Sequence, residues 1–505
     1  MIIHKNIDNV KFYVKFNLKN KPETEQSGGF MYGVKRVGEL KYKKSDAGSC
    51  SKLGIGFEKL DRALYDPTPL YDELANIGMK WVRLQSGWCR TEKQKGVYDF
   101  SWLDEIVDNL IKRSMKPWMC LCYGNGLYTP EADNKYGDIG RPPIATEEER
   151  VAWRNYVSAC VEHFKGRVDY FEIWNEPDGK HCWRHGVNAT EYGEFAIMTA
   201  KAIREKQPDA KIIAGSFFTE ISYVYDMLKT GLAPYIDYIS YHRYKYVPDS
   251  GVEKFTEALR ATIRLFSDKI QIIQGETGTH SRYCINGALP GANWSERKQA
   301  KFLLRKLVGD LAYDVEFTSY FTAADIFENI MSDSGTKTEE FYGFFGVLGE
   351  NFDENGIPLG TYYQKQSYRA FRTLCSVMDG REKHVHLPIY FEAKYSPVVG
   401  GNDEFPFSNR SDTYMYGFEL PDNVYALAYW KGTDILTTDF VSTVSAKSMG
   451  LPEEVHIIDL MDGAVYELEP SVCASGGDGK VVFTHIPIRD YPILLVFGNI
   501  KSMMK

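Results

Sequence analysis

Trp174-Asn175-Glu176-Pro177 closes a strand-like run, Val168–Ile173, and one hundred residues later Glu276 closes a second, Ile270–Gly275. Two carboxylates delivered by the ends of two buried strands suit cleavage of a glycosidic bond. One protonates the leaving oxygen while the other attacks or stabilises the anomeric carbon. Asn175 offers a side-chain donor for a sugar hydroxyl, and Pro177 fixes the backbone just beyond. Trp174 supplies an apolar wall, which is expected to raise the Glu176 pKa to about 6 by disfavouring the charged form. Around Glu276, Gly275 and Thr277-Gly278 leave room for a ligand to approach the backbone.

The elements that must position these residues follow from periodicity. From Leu53 onward, short apolar runs alternate with longer amphipathic stretches. Strands are predicted at 53–57, 80–84, 117–123, 168–174, 211–215, 236–241, 270–275 and 315–321. Helices are predicted at 102–113, 146–164, 189–206, 252–266 and 295–308, with Thr146 and either Asn293 or Ser295 as caps. Eight such units imply an α/β fold, a (β/α)8 TIM barrel over residues 51–375. Periodicity alone would equally allow a doubly wound sheet. The barrel is favoured because Arg83, Asn125, Asn175, Glu176, His242, Tyr244 and Glu276 all fall just after strands, the rim where barrel active sites are built. The segment Thr322–Gly360 reads as an extended loop. Beyond Ser376, short β-rich runs with turn signals predict an accessory antiparallel β-sandwich formed by 376–505 together with 1–50, where 10–18 looks strand-like.

Composition narrows the partners. A chain of 505 residues with net charge −8 and no Lys/Arg-rich run excludes a nucleic-acid footprint, and no stretch is apolar enough to span a bilayer. Nine cysteines without a short-spaced framework fit a reducing compartment. With no signal-like stretch after Met1, the expectation is a soluble cytoplasmic protein, or a secreted or periplasmic one if a leader has been removed. The run His181-Cys182-Trp183-Arg184-His185 carries two histidines four apart, but in a loop and without a zincin carboxylate. It reads as no metal site. No Gly-rich phosphate loop lies in a strand–helix frame, so no cofactor is expected.

An Asn-Glu-Pro strand end followed by a later strand-end Glu resembles clan A of the glycoside hydrolases. The catalytic glutamates of that clan follow barrel strands four and seven, where Glu176 and Glu276 are counted here. Within the clan the chain most resembles family 39, the β-xylosidase and α-iduronidase group. The features are Gly96-Val97-Tyr98-Asp99-Phe100 with Trp102-Leu103-Asp104, Tyr123-Gly124-Asn125, Glu176-Pro177-Asp178 with Trp183 downstream, His242-x-Tyr244, and a trailing β-sandwich. The resemblance implies Glu176 as general acid/base and Glu276 as nucleophile of a retaining mechanism. Arg83 would orient Glu276 through a charge-assisted hydrogen bond. His242 and Tyr244, alternating on a strand, would face the substrate or Glu276. Asn125, Asn175 and Trp183 would touch sugar, with Glu58 a weaker candidate. Strand eight, Phe317-Thr318-Ser319-Tyr320-Phe321, departs from the clan in lacking a tryptophan. The function expected is exo-acting, β-xylosidase-like hydrolysis of a glycoside. The alternatives are an endo-acting polysaccharide hydrolase of the same clan and a catalytically silent sugar-binding barrel.

Overall fold

The computed structural model describes residues 33–47, 51–132, 139–331, 337–397, 413–437 and 439–505. Eight parallel strands close into a barrel: β1 (Gly54–Gly56), β2 (Trp81–Gln85), β3 (Lys116–Leu121), β4 (Tyr170–Ile173), β5 (Lys211–Phe217), β6 (Tyr238–His242), β7 (Gln271–Thr277) and β8 (Thr318–Tyr320). The helices that follow them in turn are α1 (Tyr71–Ile77), α2 (Ser101–Lys112), α3 (Glu147–Phe164), α4 (Ala189–Lys206), α5 (Ile221–Met227), α6 (Val252–Arg264), α7 (Glu296–Ala312) and α8 (Gln366–Val377). The doubly wound alternative is thereby excluded. Helices α1 and α5, which periodicity did not pick out, have seven residues each, too few to display a 3.6-residue period. Thr146 and Glu149 form a reciprocal capping box on α3, and Ser295, not Asn293, caps α7.

The lower barrel is filled by side chains, as a packed core must be. Trp81, Trp118, Tyr170, Tyr238 and Phe317 meet there with Ile213 and Ile273, and Trp81 stacks on Phe317 at 4.1 Å. This aromatic floor seals one end, so polar groups two residues further along β2 and β4 project into the other.

The segment Thr322–Gly360 is not an extended loop. It forms two antiparallel hairpins, Ile326–Met331 with Lys337–Gly343 and Leu348–Phe352 with Pro358–Gln364. In the second, Asn355-Gly356 makes the turn, with Gly356 at φ 82° and the Asp353 carboxylate accepting from the Asn355 and Ile357 amides.

After α8, which runs two residues past the boundary expected at 375, come the antiparallel sheets. One has seven strands, ordered Val34–Glu39, Ala464–Leu468, Val455–Asp459, Ile493–Phe497, Val424–Lys431, Thr413–Leu420 and Lys383–Val385. The other has four: Ile389–Pro397, Val441–Met449, Lys480–Arg489 and Cys473–Gly477. The strand expected at 10–18 lies outside the described residues. No described helix is long and apolar enough to cross a membrane.

Buried charge ties barrel to sheets. Arg305 of α7 bonds both oxygens of Asp249 at 3.0 and 2.5 Å and donates to the Thr433 carbonyl at 2.7 Å. The Trp430 indole donates to Asp249 at 2.7 Å. Replacing one member of a buried ion pair strands the other, at a cost of about 3–5 kcal/mol. Asp249→Ala should therefore lower the thermal midpoint by several degrees; an unchanged melting curve would show that this junction contributes nothing.

Candidate active site

Three backbone devices aim the polar side chains into the barrel mouth. On β4, Glu172 follows Tyr170 inward, and the chain then takes left-handed conformations at Trp174 (φ 63°) and Glu176 (φ 46°). Such non-glycine residues cost about 1–3 kcal/mol each and persist where neighbours fix them. Here the Trp174 amide is held by the Leu121 carbonyl and the Glu176 amide by that of Ser216. On β5 a register shift between Gly215 and Phe217 turns Ser216 out of the ladder, so that its hydroxyl donates to Glu172.

On β7, Tyr241 pairs with Gln274 but His242 pairs with Glu276, leaving Gly275 as an extra residue. Strict alternation from the inward Ile273 would send Glu276 outward; the bulge turns it in. Only glycine fits there, because a Cβ at 275 would lie 2.2 Å from the Ser240 hydroxyl and 2.9 Å from His242 Nε2.

Arg83, wholly buried, is the hub of what results. Its Nε donates to Glu172 Oε2 at 2.7 Å, Nη1 to Glu276 Oε2 at 2.9 Å and to Glu58 Oε1 at 3.3 Å, and Nη2 to Asn175 Oδ1 at 2.8 Å. Trp118 Nε1 gives Glu172 a further donor at 3.0 Å. Tyr244 donates its hydroxyl to the other oxygen of Glu276 at 2.7 Å. Glu176 is gripped by two imidazoles, with His242 Nδ1 2.9 Å from Oε1 and His181 Nε2 3.2 Å from Oε2. Donor atoms of Glu176, His242 and Glu276 all lie within 4.8 Å of one another, so the two carboxylates face each other across the mouth. A cavity of about 300 Å³ adjoins them, lined by Phe218, His242, Tyr244, Leu289 and Pro290 among others.

The Glu176 environment is the reverse of the one expected. The Trp174 indole turns into the core, against Trp153, Trp183 and Phe195, and gives its N–H to the Cys182 carbonyl at 2.9 Å. Burial pushes the Glu176 carboxyl up, but the hydrogen bonds and charge of His181 and His242 outweigh it and hold the group at about 2. Both histidines are raised in return: His181 chiefly by its bond to Glu176, His242 by Glu176 and Glu276 against its own burial.

Of the residues singled out in the sequence, Arg83, Asn175, Glu176, His242, Tyr244 and Glu276 converge. Asn125 and Trp183 do not. Asn125 is buried, bonding the Glu92 carbonyl at 3.0 Å and the Leu127 amide at 3.0 Å, and so shapes its own loop. Trp183 lies in the core with its N–H on Glu191 at 2.7 Å. Sequence reasoning missed Glu172, although an acid inside a buried strand requires a counter-ion and Arg83 inside another supplies it. It also missed the contacts of His181, Cys182 and Ser216, and it underrated Glu58.

Glu58 has a consequence for stability. Burial pushes its carboxyl up to about 7, only partly opposed by Arg83. The fold thus prefers the protonated acid. Its contribution is complete below the ordinary value of 4.5 and is lost as pH climbs towards about 7, on the order of 3 kcal/mol. Glu58→Gln, which cannot ionise, should gain thermal stability relative to the unmodified chain as pH is raised from about 5 to about 8. Parallel melting-temperature profiles would refute the assignment.

Comparison with known proteins agrees with this geometry. The family model described as glycosyl hydrolases family 39 matches residues 44–388. A β-xylosidase of Geobacillus stearothermophilus is 25% identical over 142 residues, 24% of this chain and 25% of that protein. A benzoxazinyl glucoside β-D-glucosidase of Triticum aestivum is 22% identical over 368 residues, 68% of this chain and 60% of that protein. The chain thus spans a quarter to three-fifths of the length of these two relatives. Among solved structures, a family 39 glycoside hydrolase from Bacteroides cellulosilyticus WH2 superposes with TM-score 0.58 at 16% identity, covering 88% of this chain and 81% of that one. A family 39 β-xylosidase from Caulobacter crescentus gives TM-score 0.54 at 17% identity over 92% and 98%. With the family model covering most of the sequence and the fold shared, the chain belongs to family 39 of the glycosyl hydrolases.

Proposed function

We propose that this chain is a retaining glycoside hydrolase that removes a terminal sugar by double displacement, with β-xylosidase-like specificity. The observation that carries the reading is the approach of Glu176 and Glu276, whose carboxylate oxygens come within 4.8 Å. Retaining enzymes hold their two carboxyl groups about 5–5.5 Å apart; inverting ones need about 6.5–9.5 Å to admit a water. In this mechanism Glu276 attacks the anomeric carbon while Arg83 and Tyr244 hold its two oxygens in place. Glu176 protonates the leaving oxygen and then takes the proton from the water that releases the sugar.

A carboxyl held at about 2 is ionised for the second step, as a base must be, while being a weaker base than an ordinary carboxylate. For the first step the proton resides on the paired imidazoles. It passes from His242 or His181 to Glu176, and from Glu176 to the departing oxygen, so the carboxylate is restored as the bond breaks. The xylosidase reading draws on the Geobacillus and Caulobacter proteins.

A panel of chromogenic xylosides, arabinosides, galactosides and glucosides tests the substrate. Glu176→Ala should lower kcat/KM about 10²–10⁴-fold on substrates with poor leaving groups. It should retain glycosylation by good aryl leaving groups and be rescued by azide, giving a glycosyl azide of retained configuration. Glu276→Ala should be inactive and not rescued in that way. Azide product of inverted configuration, or rescue of Glu276→Ala with retention, would overturn the roles.

A further inference from the structure

The loop that leaves β4 brings two groups, His181 and Cys182, onto one oxygen of Glu176. Gly179 accepts the Cys182 amide at 3.0 Å while its own amide bonds the Glu176 carbonyl at 2.9 Å, folding His181 and Cys182 back over the carboxylate. A Cβ at Gly179 would sit 3.0 Å from His181 Cε1 and 2.8 Å from the Phe218 ring, so glycine leaves the imidazole its place. The Trp174 indole, bonded to the Cys182 carbonyl, fixes the far side of the turn. As a result Glu176 Oε2 lies 3.2 Å from His181 Nε2 and 3.8 Å from Cys182 Sγ, and the three donor atoms all fall within 4.8 Å of one another.

One oxygen, one imidazole nitrogen and one thiol sulfur form a ligand set for a borderline-soft divalent cation. With zinc bond lengths of about 2.0–2.3 Å, tetrahedral donors stand roughly 3.3–3.6 Å apart, close to the spacings here. We infer that Glu176, His181 and Cys182 form a thiophilic divalent-cation site of the Zn²⁺ type, in which the cation closes over the oxygen that would otherwise carry the catalytic proton. Binding is an exchange: the cation replaces the Cys182 thiol proton and any proton on His181, and these leave to solvent.

The surroundings fit that exchange. His181 has 57% of its side chain exposed, whereas Glu176 and Cys182 are buried. Asn175 Nδ2 stands 3.8 Å from the sulfur, a donor for a thiolate, and His242 holds the second oxygen of Glu176 as an outer-shell partner. The remaining vertex is left to water. A second triple, Glu176, His242 and Glu276, is less apt, because both oxygens of Glu276 are already engaged by Arg83 and Tyr244. The sequence concealed the first site. Spacing drew attention to His181 and His185, whereas the third ligand is supplied by the turn back to Glu176.

Occupancy does not depend on the proposed function; loss of turnover on occupancy rests on Glu176 being the acid/base. The test titrates Co²⁺ alone into the full chain and follows the thiolate-to-cobalt charge-transfer band. One equivalent should produce the band, and Zn²⁺ should displace it. Cys182→Ser should abolish it, and Cys182→Ser and His181→Ala should each weaken binding more than about tenfold, the least that loss of even an outer-shell partner costs. His181→Ala removes a mostly exposed side chain and carries the test should Cys182→Ser not fold. No band, or an equal band in Cys182→Ser arising from other cysteines such as Cys89 or Cys473, overturns the site. On an aryl glycoside, Zn²⁺ should suppress the parent chain relative to its metal-free rate and Cys182→Ser far less. A cobalt band without suppression upholds the site and removes Glu176 from its catalytic role.

Discussion

A single guanidinium without access to solvent organises this molecule. Arg83 cannot shed its charge, and its planar fork presents donors in fixed directions. Four acceptors from the ends of β1, β4 and β7 (Glu58, Glu172, Asn175 and Glu276) take their positions from it. The aromatic floor below keeps water from the network, which strengthens each pairing and makes any unpaired charge expensive. Three carboxylates around one cation leave the cluster short of positive charge. Glu58, buried and the least closely bonded of them to Arg83, accordingly tends to keep its proton.

The two facing carboxylates are therefore held by different chemistry. Glu276 is oriented by a permanent cation and a phenol whose ionisation is pushed well up by burial and by the adjacent charge, so neither partner trades protons with it near neutrality. Glu176 is held by groups that can. Two imidazoles, one beneath on β6 and one above on the β4 loop, make its protonation a property of three side chains rather than one. Under the proposed mechanism, the asymmetry separates the carboxylate that attacks from the one that exchanges a proton.

Much of this was legible in the chain. Eight apolar runs alternating with amphipathic stretches pointed to parallel βα units, because buried parallel strands must read that way, and the polar residues just after them favoured a barrel. Glu176 stood out by its Trp-Asn-Glu-Pro frame, and Glu276 by its small neighbours and by sharing one barrel rim with Glu176. What stayed hidden depends on backbone detail. Trp174 beside Glu176 in sequence suggested an apolar wall, but a left-handed residue sends the ring into the core and brings histidines to the carboxylate instead. Trp183 and Asn125 have the right chemistry for sugars yet are spent on packing and on a loop, which residue type alone does not distinguish. The two hairpins after β8 were missed, although Asn355-Gly356 announced one of them, because they interrupt a βα rhythm that the rest of the barrel keeps.

The bulge at Gly275 implies something about how such a scaffold can diversify. The aim of Glu276 is written into the main chain of a barrel strand by one surplus residue, and among the connecting segments only the one after β6 adds to it, through Tyr244. The other segments can lengthen, shorten or exchange residues while the carboxylate proposed to attack keeps its direction. The converse holds for grafting: a strand moved from another barrel without its surplus residue would deliver its acid to the wrong side of the wall.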